Sequence, residues 1–315
     1  MKLSGARVLV TGGRGFLGRV VVDNLRAAGA IVTAPSSAEA DLRRAEDADR
    51  VVRGVDAVVH LAAKVGGIGL NREKPGELFH DNILMGVHVL EAARNAGVRD
   101  VLTVGTICAY PKFTPVPFRE EALWDGYPEE TNAPYGVAKK ALLVMSDAYR
   151  QQYGMNATFV LPVNLYGPGD NFDPRSSHVI PALVKKVYDA RALGCESLVC
   201  WGDGSPTREF LYVDDAAAGI ALALERLETS EPVNLGAGRE ITIKDLVLTI
   251  AELMNYRGEI RWDKAKPNGQ PRRCLDVSRA AEWLGWRSRV DFREGLAQTI
   301  AWYEQHPLPV APPTW

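Results

Sequence analysis

A tyrosine and a lysine four positions apart, Tyr135 and Lys139 in "YGVAK", could transfer a proton to a ketone. The helical pattern that begins at Pro134 places both side chains on one helix face, one turn apart. A ketone that accepts a hydride must also receive a proton on its oxygen, and a phenol whose pKa is lowered by a nearby positive charge can exchange that proton. Thr106, at the end of an apolar run, would hydrogen-bond the same oxygen. These residues indicate a reductase site.

Cys108 follows Thr106 by two residues in "TVGTICAY" and has two interpretations. A cysteine at the end of a buried strand often serves as a small apolar residue. A cysteine that can lose its proton can instead act as one half of an acid-base pair. The neighbouring residues alone leave both interpretations open.

Four glycines, at positions 12, 13, 15 and 18, lie where an apolar run near the N-terminus gives way to a helical pattern. Gly12 permits a tight turn, Gly15 lets backbone amides approach a pyrophosphate, and Gly18 allows a helix to pack closely on a strand. The N-terminus of the helix adds positive potential. This pattern in this position predicts a dinucleotide site.

The end of the second predicted strand, "TAPSSAEADL", bears on which dinucleotide is bound. No acidic residue precedes Glu39, so the usual partner of an NAD ribose 2′-hydroxyl is missing. Arg14 could reach a 2′-phosphate, with Ser36 and Ser37 as hydrogen-bond donors. NADP(H) is therefore favoured, and NAD(H) stays open. Asp41 and Leu42 are expected beside the adenine.

Short β-rich runs alternate with helical patterns as far as residue 164, which predicts βαβ units around a buried parallel sheet. The expected fold class is α/β, with a Rossmann-like doubly wound parallel sheet and a smaller mixed α/β substrate-binding lobe. We expect a dinucleotide-binding domain at 1–165, completed by part of 207–240, and a substrate lobe at 166–315. The predicted strands are 6–12, 30–34, 56–63, 101–106, 157–164, 197–201, 209–213 and 259–262. The predicted helices are 16–29, 42–53, 75–97, 134–153, 179–193, 214–227 and 242–255.

The charges nearly balance, because 37 Lys and Arg face 39 Asp and Glu in a chain of 315 residues. Such a chain has no global basic field to attract nucleic acid or an anionic membrane. The four cysteines show no metal-binding or secreted disulfide spacing, and no signal peptide or 18-residue apolar stretch is apparent. We therefore expect a cytoplasmic protein without a metal site. The last ten residues, "HPLPVAPPTW", are expected to be extended surface.

Longer motifs add a family resemblance. They are "HLAAKVGGI", "GTICAYP", "NLYGPGDNFDPRSSHVIPAL", "WGDGSPTREFLYVDD" and "KPNGQPRRCLDVSR". Together with the glycine turn they make about residues 6 to 303 resemble the GDP-L-fucose synthase family of extended short-chain dehydrogenase/reductases. The resemblance implies an NADPH-dependent 3,5-epimerase and 4-reductase of a GDP-4-keto-6-deoxyhexose that acts as a homodimer.

The resemblance also implies roles for individual residues. Cys108 and His178 would form the epimerisation pair, and Thr106, Tyr135 and Lys139 the reduction group. The expected cofactor contacts are Gly12, Arg14, Gly15, Phe16, Leu17, Gly18, Ser36, Ser37, Asp41, Leu42, Leu61, Ala62, Ala63, Tyr135, Lys139, Pro162, Asn164, Leu165 and His178. The expected substrate contacts are Val65, Gly66, Asn164, Val179, Lys186, Trp201 and Arg208.

Four positions depart from the family pattern. Thr106 replaces a serine, Tyr212 a histidine, Lys186 an arginine, and Pro35 an arginine that would help to hold a 2′-phosphate. Two alternatives therefore stay open. One is a redox-neutral or single-centre GDP-sugar epimerase with tightly bound NAD(P). The other is a non-catalytic dinucleotide-sensing protein, because a fold alone does not establish chemistry.

Overall fold

The computed structural model describes residues 1–266, 268 and 270–311. Its strands are β1 (Arg7–Thr11), β2 (Ile31–Thr33), β3 (Ala57–His60), β4 (Asp100–Val104), β5 (Asn156–Pro162), β6 (Asn164–Tyr166), β7 (Ser197–Trp201), β8 (Thr207–Arg208), β9 (Phe210–Tyr212), β10 (Val233–Leu235), β11 (Ile241–Thr242) and β12 (Glu259–Asp263). Its α-helices are α1 (Phe16–Ala27), α2 (Ala45–Val51), α3 (Ile68–Glu73), α4 (Pro75–Asn95), α5 (Ala133–Tyr153), α6 (Val179–Ala192), α7 (Val213–Arg226), α8 (Ile243–Leu253), α9 (Ser278–Leu284) and α10 (Phe292–Gln305). Two short 3₁₀ helices span Ile107–Ala109 and Glu120–Trp124.

Six parallel strands form the central sheet in the order β10-β5-β4-β3-β1-β2. The inner strands are apolar on both faces and almost fully buried, because α1 packs with α7 while α4 packs with α2 and α5. The chain runs from β1 to the edge at β2 and then returns to β3 on the other side of β1. A ligand crevice is expected at this reversal, outside the carboxyl ends of the strands. The predicted doubly wound α/β fold is confirmed.

A second apolar cluster lies outside the central sheet. Its buried side chains come mainly from α6, α8 and α10 and include Val184, Ile250 and Ile300. Three two-stranded sheets accompany it, namely β6 with β9, β7 with β12, and β8 with β11. The chain returns from this region to the central sheet through β10. We keep a division into a dinucleotide domain at 1–165, completed by part of 207–240, and a substrate lobe at 166–315 as a proposal.

Two predicted strands differ in the structure from their expected bounds. The strand expected at 157–164 ends at Pro162, and Asn164–Tyr166 leaves the central sheet to pair with Phe210–Tyr212. The strand expected at 209–213 is β9, which pairs with β6, while Thr207–Arg208 just before it forms a separate strand, β8, which pairs with β11. Both differences arise because neighbouring short segments pair with different partners, and hydrophobic patterns do not reveal partners.

Three further observations concern membrane-spanning helices, metal-binding groups and the C-terminal tail. In the described residues, no helix combines the length and the apolar character needed to cross a membrane. The same residues hold no group of three or more His, Cys, Asp or Glu side chains that could bind a metal ion. Of the tail expected to be extended, 307–311 lacks regular secondary structure and the last four residues lie outside the described residues.

Candidate active site

The glycine turn joins β1 to α1 and lies against the end of β3. The Thr11 hydroxyl shares a hydrogen bond with Nδ1 of His60 (2.8 Å) and accepts another from the Ala62 amide (3.2 Å). Gly12 has a φ of +70°, and a Cβ there would lie 2.8 Å from Cα of Ala62. A Cβ at Gly18 would lie 2.1 Å from the Gly12 carbonyl oxygen. The first turn of α1 thus lies directly on the glycine turn, the arrangement that binds a pyrophosphate, and the residues fit a dinucleotide.

Replacing Gly18 with alanine is expected to lower the free energy of unfolding by about 1–3 kcal/mol, because the added methyl group overlaps backbone atoms that cannot move aside. Dinucleotide affinity should fall with it. Urea denaturation and a fluorescence titration with NADPH measure the two effects. Gly76→Ala is the matched control, since a Cβ at Gly76 meets no heavy atom within 4 Å. Equal losses in the two variants would contradict this account of Gly18.

Arg14 and Ser36, expected to meet a 2′-phosphate, instead contact a carboxylate of the protein itself. Glu39 accepts hydrogen bonds from the Ser36 amide (2.7 Å) and hydroxyl (2.9 Å), and its carboxylate lies 2.8 Å from the Arg14 guanidinium. The backbone turns back after Ser36, since the Glu39 amide donates to the Ser36 carbonyl (3.1 Å). These bonds, first those from Ser36, lower the pKa of Glu39. Glu39, which lies beyond the end of β2 in the sequence, therefore reaches these donors through the turn.

The other residues expected near the adenosine, Ser37, Asp41 and Leu42, differ in their exposure and in their partners. Ser37 is exposed, and Leu42 is buried. Asp41 accepts two hydrogen bonds from Arg43 (2.8 and 2.7 Å), which lower the pKa of Asp41 to about 2. The remaining expected cofactor contacts begin α1, follow β3, or lie at or just after the carboxyl end of β5; they are Phe16, Leu17, Leu61, Ala62, Ala63, Pro162, Asn164 and Leu165.

Thr106, Cys108 and Tyr135 come together where β4 meets the start of α5. Thr106 caps the 3₁₀ helix that contains Cys108, and its hydroxyl accepts a hydrogen bond from the Cys108 amide (3.2 Å). The Tyr135 phenol is hydrogen-bonded to the Thr106 side chain. Gly136 makes this approach possible, because a Cβ there would lie 2.3 Å from the Cys108 carbonyl oxygen.

Burial keeps the Tyr135 phenol protonated. Burial raises the pKa of Tyr135, nearby Cys108 raises it further, and the hydrogen bond with Thr106 lowers it in part. Lys139 is not among the groups that shift the pKa of Tyr135, and its ammonium donates to the Val104 carbonyl (3.0 Å). Burial lowers the pKa of Lys139 to about 8. A protonated phenol is the form that can donate to a ketone oxygen.

Arg273 is a site residue that sequence reasoning missed. Its Nη1 lies 4.0 Å from the Cys108 sulfur. Two buried side chains hold the segment that contains it: Glu209 accepts from the Leu275 amide (2.6 Å), and Asn234 donates to the Asp276 carbonyl (3.0 Å). A cation beside a cysteine is typical of reactive thiols. The motif "KPNGQPRRCLDVSR" contains this arginine but does not reveal its neighbour.

His178 immediately precedes α6 and lies beside the loop that follows β3. The Gly67 amide donates to the Ser176 carbonyl (3.0 Å), and a Cβ at Gly67 would lie 2.6 Å from the Ser177 carbonyl oxygen. Val65 and Gly66, expected to contact substrate, belong to the same loop. Part of the imidazole is exposed, yet the protein around it lowers the pKa of His178 by desolvation. The imidazole is therefore neutral at neutral pH.

The remaining expected substrate residues lie around the second cluster. Arg208 donates to the Thr207 and Gln270 carbonyls (both 2.7 Å), and burial, followed by the charge of Arg273, lowers the pKa of Arg208 to about 10. Asn164 donates to the Glu209 carbonyl (3.1 Å).

Lys186 and Trp201 belong to adjoining elements of this cluster. Lys186 donates to the Val199 carbonyl, and burial lowers the pKa of Lys186. The Trp201 ring is 64% exposed, with the Lys266 ammonium 5.6 Å from its centre. Val179 begins α6. Cationic groups and an open aromatic face suit a diphosphate and a flat or sugar surface.

Comparison with known proteins agrees with this geometry. The model of the "NAD dependent epimerase/dehydratase family" matches residues 8–236. The "Probable GDP-L-fucose synthase 1" of Oryza sativa is 40% identical over 96% of this chain and 93% of its own. The GDP-L-fucose synthase of Escherichia coli is 37% identical over 96% of this chain and 97% of its own.

Solved structures give the same result. The GDP-L-fucose synthetase from Naegleria fowleri bound to NADP superposes with a TM-score of 0.86 at 26% identity, over 96% of this chain and 95% of that one. The family model matches most of the chain, and the relatives are similar to it over nearly their whole length. This chain therefore belongs to the NAD dependent epimerase/dehydratase family and, within it, to the GDP-L-fucose synthases.

Proposed function

We propose that this protein is an NADPH-dependent epimerase and reductase of a GDP-4-keto-6-deoxyhexose, which inverts C3 and C5 and then reduces the C4 ketone. The observation that supports it most is the convergence of Thr106, Cys108 and Tyr135 beside a dinucleotide turn, with Arg273 next to the thiol. A sensor of dinucleotides would not need this group. Family membership supports the same reaction.

Reduction requires a hydride and a proton. NADPH, when bound, supplies the hydride to C4. The Tyr135 phenol, kept protonated by burial, donates the proton to the C4 oxygen while the Thr106 hydroxyl hydrogen-bonds that oxygen. Lys139, one turn further along the same helix, carries a positive charge that would favour the phenolate once the proton has left.

Epimerisation requires bases at the carbons beside the ketone. The C4 ketone acidifies the hydrogens on C3 and C5, so a base can remove a proton from one face and an acid can return one to the other. We assign these steps to Cys108 and His178. Arg273 lies beside the Cys108 sulfur, and His178, whose pKa is lowered by desolvation, is neutral at pH 7 and can accept a proton.

Substrate binding falls to the residues around the second cluster. Arg208 and Lys186 are suited to the diphosphate of GDP, and Trp201 to packing against a flat surface. In the sequence, Asn164 and Val179 lie between the reduction group and these substrate residues.

We also propose a cytoplasmic location and a homodimer. In this dimer α4 and α5, with exposed Phe79 and Val144, contact a second copy of the chain. Light scattering tests the dimer.

One experiment tests the complete reaction. The protein is incubated with GDP-4-keto-6-deoxymannose and NADPH in deuterated water, and the product is analysed by NMR. Deuterium at both C3 and C5, with NADPH oxidised and an L-sugar formed, is the expected result. Deuterium at one carbon would mean single-centre epimerisation, and exchange without net oxidation of NADPH would mean a redox-neutral epimerase.

Proton exchange should depend on pH through His178. Because the pKa of His178 is lowered below its usual 6.5, the imidazole is a base throughout the neutral range and loses that role only when the pH falls below 6.5. We expect deuterium incorporation at one carbon to be constant near pH 7 and to fall in acid. His178→Gln should abolish this exchange and its acid limb together. Exchange that increases as the pH falls below 6.5 would assign the protonated imidazole instead.

A further inference from the structure

Glu39 occupies an anion site at the end of β2 that the sequence suggested for the cofactor. We propose that the Glu39 carboxylate competes with the adenosine 2′-phosphate for Arg14 and Ser36, and thereby sets the preference between NADP(H) and NAD(H). This inference rests on the proposed function as an NADP(H)-dependent enzyme. It adds a residue that determines cofactor specificity.

The donors around Glu39 are those that a phosphate would use. A guanidinium, a hydroxyl and a backbone amide all point at one carboxylate, at distances between 2.7 and 2.9 Å. Arg14 Nε also donates to the Ala34 carbonyl (3.2 Å), which fixes the guanidinium between the glycine turn and β2. That is the position at which dinucleotide-binding folds recognise the ribose 2′ group.

The site cannot hold both anions. The carboxylate already accepts the hydrogen bonds of Ser36 and Arg14, and a 2′-phosphate brought to the same donors would be repelled by it. The preceding residue, Pro35, has no N–H group to offer a second anion. Arg50 donates a hydrogen bond to the Glu39 carbonyl (2.6 Å), which holds the Glu39 backbone in place. NADP(H) therefore requires the Glu39 side chain to leave its donors.

NAD(H) makes a different demand on the same residue. Its ribose 2′-hydroxyl is a hydrogen-bond donor, so a carboxylate that remains on Ser36 can accept from it. In its present position, the Glu39 carboxylate consequently favours binding of NAD(H) and disfavours binding of NADP(H). Both side chains of the ion pair are more than half exposed, so the carboxylate can move into solvent.

The test compares dinucleotide affinities of the full-length protein. NADPH and NADH are titrated separately by nucleotide fluorescence against the unmodified protein, Glu39→Gln and Glu39→Ala. Removal of the negative charge is expected to tighten NADPH binding by about tenfold, without tightening NADH binding. Glu46→Gln is the matched control, because Glu46 is exposed and contacts Arg44 at 3.8 Å. This control should bind both nucleotides like the unmodified protein.

Equal changes for both nucleotides, or weaker binding of NADPH by Glu39→Gln and Glu39→Ala, would overturn the inference, as would an unchanged ratio of the two affinities. Circular dichroism and thermal unfolding of each variant establish that the fold is retained. If the unmodified protein turns over the 4-keto sugar with NADPH and the ratio is unchanged, the role of Glu39 fails and the proposed function stands. If turnover fails and the ratio changes as expected, the role of Glu39 stands and the proposed reaction fails.

Discussion

Changing Tyr135 to phenylalanine is expected to lower kcat for reduction by roughly a hundred- to ten-thousand-fold, the range associated with a positioned general acid. The phenol is buried and protonated, and it is hydrogen-bonded to Thr106, so no water molecule at that place would have the same position and acidity. NADPH oxidation followed by absorbance measures the loss. NADPH affinity should change little, because the aromatic ring remains.

A tyrosine elsewhere on the same helix provides the comparison. The Tyr149 hydroxyl donates to Glu91 (2.6 Å), away from Thr106 and Cys108, so Tyr149→Phe should retain turnover. If Tyr135→Phe retained most of its turnover, a group other than this phenol would donate the proton. If both variants lost turnover to the same degree, the effect would belong to helix stability.

Changing Cys108 to alanine is expected to separate the two parts of the reaction. Deuterium incorporation at one of the two carbons should slow by roughly a hundredfold or more, because the base for that carbon is removed. Reduction should continue, since Thr106, Tyr135 and Lys139 are intact, and its product should retain the original configuration at the carbon that Cys108 serves. NMR of the product formed in deuterated water detects both effects.

Cys195→Ser is the control for loss of a thiol, because Cys195 is also a partly exposed free cysteine and its carbonyl accepts from Tyr256 in the second cluster. It should exchange and reduce like the unmodified protein. Unchanged deuterium incorporation in Cys108→Ala would return Cys108 to the first of its two interpretations, a small apolar residue at a strand end.

The features that local sequence determines were predicted well. Apolar β-rich runs identified five strands of the central sheet, since a parallel sheet buried on both faces requires such runs. Helical periodicity placed Tyr135 and Lys139 on one face, and the position after β4 placed Thr106 beside them. Each of these relations spans few residues or follows from the order of strands.

The features that were missed depend on distant or irregular backbone. Arg273 contacts Cys108, which lies 165 residues away in the sequence. Hydrogen bonds from the following residues to Glu209 and Asn234 hold Arg273 there, and no pattern in the motif predicts these bonds. Glu39 returns to Ser36 through the four-residue turn 36–39, and strand signals do not predict such a turn. Helix α10 was also missed, although Asp291 accepts hydrogen bonds from the first amides of that helix, a signal that could have been recognised.

The contact between Gly136 and Cys108 limits how this protein could be redesigned. Because the start of α5 touches the Cys108 backbone with no room for a side chain, the proposed proton donor for oxygen and the proposed base for carbon are parts of one rigid unit. Shifting the helix to accommodate a different sugar would displace both groups at once. A designer who wants to keep one activity and discard the other must exchange side chains at fixed positions, and a broader substrate range must come from the residues around the second cluster.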